Sequence, residues 1–121
     1  AEYAGAISTF TGRVREKEGP DDAETKYLEF ERYDEVAAEQ MATIRSDLEA
    51  RGGVLDVRLH HRTGVVPKGE DIVYVAVLAG HRAEAFAAVE DGIERIKDEV
   101  PLFKKEVTED GEFWVHEVEQ A

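Results

Sequence analysis

The chain has no cysteine. Disulfides, thiolate metal sites and a cysteine nucleophile are therefore excluded. Of its four histidines, His60, His61, His81 and His116, none falls at a spacing typical of zinc sites. No apolar run approaches the ~20 residues that span a bilayer, and no signal peptide is visible. A cytoplasmic location is the expectation. Cations are scarce as well. Six lysines and nine arginines face 28 acidic residues, for a formal net charge of −13. Nucleic-acid binding depends on neutralising phosphates, so this balance argues against it. It argues equally against anionic membrane surfaces. The carboxylates are spread over every segment, which fits a heavily solvated surface adapted to high salt, where self-repulsion is screened.

The 121 residues are expected to form one domain, 1–121, with its own core. "GAISTFTG" (5–12) is rich in β-branched and aromatic residues and reads as a strand, and the polar stretch 13–25 with its Gly-Pro reads as a loop. "KYLEFERY" (26–33) alternates as a half-buried strand does. Asp34 starts a helix running to about Arg51, with Ala37, Met41, Ile44 and Leu48 on one stripe, and Gly52-Gly53 stops it. Residues 54–64 place Leu55, Val57 and Leu59 inward. "VVPKGED" reads as a turn, and "IVYVAVLAG" (72–80) as a central strand covered on both faces. A second helix begins near His81, with Phe86, Val89, Ile93, Ile96 and Val100 inward, and Pro101 ends it. Two short strands follow, around 103–107 and 113–118. The order β-β-α-β-β-α-β-β implies an α+β sandwich, with two main helices packed on a mostly antiparallel sheet.

Half of the six lysines, Lys97, Lys104 and Lys105, lie in "IKDEVPLFKKE" (96–106). On a helical wheel Lys97 falls beside Ile93 and near Phe86, on the flank of the apolar stripe. A lysine partly withdrawn from water is usable for proton transfer. Lys104 lies seven residues on, past a proline, so the two ammonium groups can converge on one anion. The competing reading is a snorkelling lysine at a helix C-terminus, where the dipole favours cations. His81-Arg82 opens the second helix, where free N–H groups favour anions. It reads as an anion site or as surface residues paired with Glu84. Arg13 and Arg15 share a face by alternation at the mouth of the loop, and His60 and His61 point to opposite faces of a strand.

Taken together, "GAISTFTGRVR", "YLEFERY", "VRLHHRTGVVPKGEDIVYVAV", "GHRAEAF" and "IKDEVPLFKKE" resemble the large, catalytic subunit of molybdopterin synthase, the MoaE family. They occur in family order over nearly the whole chain. The resemblance implies an enzyme, a sulfurtransferase, that installs two sulfurs as a dithiolene on cyclic pyranopterin monophosphate. The sulfur comes from a ubiquitin-like small subunit, MoaD-like, whose C-terminal Gly-Gly ends as a thiocarboxylate and threads into a pocket. It also implies a homodimer of large subunits within a heterotetramer. By position, Lys97 resembles the essential catalytic lysine and Lys104 the second active-site lysine. Arg15, His81 and Arg82 match residues around the anionic substrate, and Phe10 matches a pocket aromatic. No metal or cofactor is implied for this step, because the nucleophilic sulfur arrives on the partner.

Two departures stand out. Phe103 replaces a common Trp, which keeps an aromatic wall and loses its hydrogen-bond donor, and only four residues precede "GAISTFTG", where members usually carry a longer segment. Two other functions compete with catalysis. One is a non-enzymatic docking module for a ubiquitin-like tail, and the retained lysines and arginines speak against it. The other is a small-molecule-binding regulatory domain, which leaves the lysine spacing unexplained.

Overall fold

Apolar alternation and helical period divide the chain as the residue pattern predicts, with one strand more. The computed structural model describes residues 2–15, 25–32, 34–108 and 111–115. Residues 16–24 of the expected loop and 116–118 of the last expected strand lie outside the described residues. The elements are β1 (Ala6–Arg13), β2 (Thr25–Arg32), α1 (Asp34–Glu49), β3 (Val54–His61), β4 (Gly64–Pro67), β5 (Asp71–Ala79), α2 (Arg82–Glu99), β6 (Leu102–Thr108) and β7 (Gly111–Val115). For β2, β6 and β7 the description is of backbone, apart from Tyr27, Glu29, Val107, Thr108 and Gly111. The fold is α+β, with two helices and strands that pair only antiparallel among the described residues. It holds two sheets, ordered β1-β5-β3 and β4-β2-β6-β7, where one was expected. The extra strand is β4. Its "VVP" reads as a turn in the sequence, but Leu28 pairs with Val66 and Tyr27 with Pro67. Pro67 is tolerated because it ends the strand at a sheet edge.

Both helices cover one face of the first sheet. From β5 that face presents Val73, Val75, Val77 and Ala79, all buried. α1 supplies Ala37, Ile44 and Leu48, and α2 supplies Ala85, Ala88, Val89, Ile93 and Ile96. Each fully buried Leu, Ile or Val contributes roughly 1.5–3 kcal/mol. The helices meet through charge at their rims: Arg95 of α2 holds Asp47 of α1 at 2.8 Å, and Arg51, just past α1, holds Asp91 at 2.7 Å. Gly53 sits at φ 86°, the left-handed conformation that lets the chain leave α1 for β3.

Three burial expectations are corrected. Leu55 is exposed, because β3 shifts register between Val54 and Asp56 and Leu55 falls out of the ladder. Phe86 is 61% exposed, because it lies on the flank of α2 away from α1. β5 is central, as expected, but only one of its faces is covered. Ile7 of β1 is 74% exposed and Tyr74 is 36% exposed on the other face.

Candidate functional site

α2 fixes the position of three of the six candidate side chains. It is antiparallel to β5, which it follows after a turn of two residues. His81 is its N-cap, with extended backbone and no side-chain capping bond, and Arg82 is its first residue. Lys97 lies in its last turn, and the helix ends before Pro101. Residues advance by about 100° around a helix. Asp91 and Arg95, through their ion pairs, mark the flank of α2 that faces α1. Phe86, Ile93 and Lys97 share the opposite flank, over β1, the edge strand of the sheet.

Lys97 is exposed, so the partial withdrawal from water read off the helical wheel is not found in the single chain. Its flank stands beside the apolar stripe, but no described element closes over it. Phe10 projects from β1 on the helix-covered side of the sheet and remains 38% exposed at the edge. Gly12 is its neighbour on that side. A Cβ there would stand 2.6 Å from Val73 Cγ1 and 3.3 Å from the Phe10 ring, so the missing side chain is what lets the ring lie against the strand. The sequence offered one signal for Gly12, a glycine inside a strand, which marks a close approach.

Arg13 ends β1 and is exposed, as is Arg15, with buried Val14 between them. Arg13 pairs with Asp71 at 3.2 Å and donates to the Gly69 carbonyl. Backbone bonds from Val14 to Glu70 and from Gly69 to Val14 complete a clasp between the end of β1 and the β4–β5 turn. Arg15 leaves this clasp exposed, at the end of the sheet over which α2 finishes. Arg15, just past β1, and Lys97, in the last turn of α2, therefore lie toward the same end of the first sheet, while Phe10 lies mid-strand opposite Val75.

His81 and Arg82 do not join them within one chain. Ala6 pairs with Ala79 and Arg13 with Asp71, so the start of α2 and the Arg15 clasp lie at opposite ends of the sheet, roughly 23 Å apart. Lys104 lies in β6, paired with Phe30 and Val115; its side chain and that of Phe103 lie outside the described residues.

The charges discriminate among the cations. Arg13, Arg45, Arg51, Arg58, Arg62 and Arg95 each hold a carboxylate. Among the described residues neither Lys97 nor Arg82 has one within salt-bridge distance. In a chain of net charge −13, a cation left without a carboxylate is available to a ligand. A separate cleft of about 540 Å³, lined by Met41, Leu59, His60, His61 and Arg62 among others, lies on the α1 side and contains none of the candidate residues. Among the described residues no cluster fit to hold a metal ion is present, and no helix is long and apolar enough to cross a membrane.

A family model described as MoaE protein matches residues 1–99. The chain belongs to the MoaE family. It is 67% identical over 115 residues to a probable molybdopterin synthase of Haloferax volcanii, covering 95% of this chain and 44% of that one. The chain thus spans under half the length of that relative. It is 43% identical over 112 residues to the molybdopterin synthase catalytic subunit of Bacillus subtilis, covering 93% of this chain and 70% of that one. Its fold matches the crystal structure of molybdopterin synthase from Staphylococcus aureus with a TM-score of 0.88 at 38% identity, covering 96% of this chain and 83% of that one.

Proposed function

We propose that this MoaE-family chain is the catalytic subunit of a molybdopterin synthase, moving sulfur from the thiocarboxylate of a ubiquitin-like small subunit to cyclic pyranopterin monophosphate. The observation that carries the reading is Lys97, exposed in the last turn of α2 and without a carboxylate partner among the described residues. Each transfer exchanges sulfur for oxygen. The donor's sulfur attacks a pterin carbon and the carbon's oxygen leaves. Water then cleaves the resulting thioester, so the sulfur stays on the pterin and the donor departs as a carboxylate. Lys97 gives a proton to the leaving oxygen and recovers one afterwards. Lys104, seven residues on past Pro101, and Arg15 bind the anionic groups.

His81 and Arg82 enter this site from a second copy. The uncovered face of β5 and β1, with Ile7 and Tyr74, is the surface for it. Two chains packed through that face about a two-fold axis crossing the strands run in opposite directions. The His81–Arg82 end of one then meets the Arg15–Lys97 end of the other. This arrangement also hides apolar surface that a single chain leaves in water.

The test mixes the purified chain with a thiocarboxylated ubiquitin-like protein and cyclic pyranopterin monophosphate, with the product read by mass. A dithiolene product is expected. A donor that binds without any sulfur reaching the pterin would instead make the chain a docking module.

A further inference from the structure

Two arginines hold the turn between β4 and β5 from opposite sides. Arg62, just past β3, donates to the Glu70 carboxylate at 3.1 Å and to the Asp71 carbonyl at 3.0 Å. Arg13, at the end of β1, pairs with the Asp71 carboxylate and donates to the Gly69 carbonyl. The backbone of Val14 is bonded twice to the same turn. Its N–H donates to the Glu70 carbonyl at 2.9 Å, and its carbonyl accepts from the Gly69 N–H at 2.9 Å. Gly69, at φ 79°, supplies the left-handed turn that this second bond needs. Val14 itself is 2% exposed and forms a small core with Val66, against which Ile72 packs. The register shift between Gly12 and Arg13 leads β1 into this clasp, and such bulges re-aim the side chains beside them. Arg15 leaves the clasp one peptide beyond the doubly bonded Val14.

Stability does not account for the charged pair in the clasp. The Arg13 and Asp71 side chains are 64% and 41% exposed, and ion pairs in that setting add little to folding. We infer that Arg13 and Asp71 are positioning residues for Arg15, and through it set how tightly the chain holds the anionic group of cyclic pyranopterin monophosphate. The inference rests on the sulfur-transfer reading above, in which Arg15 binds an anionic group. A guanidinium meets a phosphate through a fork of fixed geometry, so a small displacement of its backbone weakens the contact while nothing unfolds. Losing the Arg13–Asp71 pair leaves Val14 buried and the β1–β5 ladder in place, but it frees the turn to shift against the end of β1. Lys97, on α2, is untouched. The effect therefore falls on substrate affinity and spares the turnover of bound substrate.

Asp71→Ala is the deciding variant, because it removes the partner of Arg13 and also makes the chain less negative by one charge. Electrostatics alone, or an Arg13 that binds the anion directly, then predicts tighter binding of an anionic substrate, whereas a loosened clasp predicts weaker binding. With the whole chain and a thiocarboxylated ubiquitin-like donor, KM for cyclic pyranopterin monophosphate is expected to rise at least fivefold, with kcat and melting temperature nearly unchanged. Asp71→Glu, which restores the carboxylate, is expected to stay within twofold of the wild type. A KM that falls or stays unchanged in Asp71→Ala would overturn the positioning role and leave the sulfur-transfer reading standing. If the wild type forms no dithiolene, that reading fails, and inorganic phosphate titrated against the Arg15 Nε–H resonance of the ¹⁵N-labelled chain decides the positioning role instead. Affinity at least fivefold weaker in Asp71→Ala supports it, and equal or tighter binding overturns it.

Discussion

Arg82 and Lys97 stand on the same flank of α2, fifteen residues apart, which is about 22 Å along the helix axis. No single side chain spans that gap, which makes a site shared between two chains the simpler way for both residues to meet one small substrate. The separation leads directly to a test by mixing. Lys97→Ala and Arg82→Ala chains, each nearly inactive alone, are expected to regain about one quarter of wild-type turnover when exchanged into mixed dimers at equal amounts, since half the dimers are mixed and each holds one intact site of two. Turnover that stays at the level of the separate variants would show that the two residues do not serve one shared site. Lys97→Arg is expected to be as inactive as Lys97→Ala, because arginine does not release its proton near neutral pH.

Gly12→Ala is expected to destabilise the chain by about 1–3 kcal/mol, the usual range for overpacking. The new Cβ meets Val73 Cγ1 at 2.6 Å, and Val73 belongs to the buried row of β5. The Phe10 ring must also move. Chemical denaturation measures the stability change, and the Phe10 ring resonances report the displacement; an unchanged midpoint would contradict the close packing.

Arg95 joins α2 to α1 by holding Asp47 at 2.8 Å, and it also holds Glu99 of its own helix at 2.5 Å. The hydrogen bonds from Arg95 hold the Glu99 carboxyl below its ordinary range. A lowered carboxylate contributes stability that is present above its unfolded value and lost as pH falls through its lower folded value. Acid titration of the wild type should therefore lose stability below the usual glutamate range. Arg95→Gln should cost about 0.5–1 kcal/mol at neutral pH, as a partly exposed network does, and show less of that acid loss. Equal acid sensitivity in the two proteins would count against the assignment.

Salt provides a test of the whole surface. With a net charge of −13, self-repulsion acts on the folded state and on any dimer. Raising salt from about 0.1 M to 1 M shortens the Debye length from ~10 Å to ~3 Å. The melting temperature and the dimer fraction are both expected to rise over this range, as read by calorimetry and light scattering. A melting temperature that falls would show that attractive ion pairs outweigh the repulsion.

The sequence by itself determined the elements and the family. The spacing of Ala37, Ile44 and Leu48 defined α1, Pro101 closed α2, and the motifs from "GAISTFTGRVR" to "IKDEVPLFKKE" carried the resemblance, because periodicity and motif order are local properties of the chain. Only the tertiary structure decided which of these residues meet. β4 was invisible because "VVP" becomes a strand through pairing with β2, a partner distant in sequence. Phe86 and Leu55 read as core because a helical wheel and a strand alternation give angle but not cover. The resemblance assigns Lys97 and Arg82 to one site in different roles, yet the length of α2 holds them apart within one chain, and distance along a rigid helix is fixed by its rise per residue rather than by the chemistry at its ends.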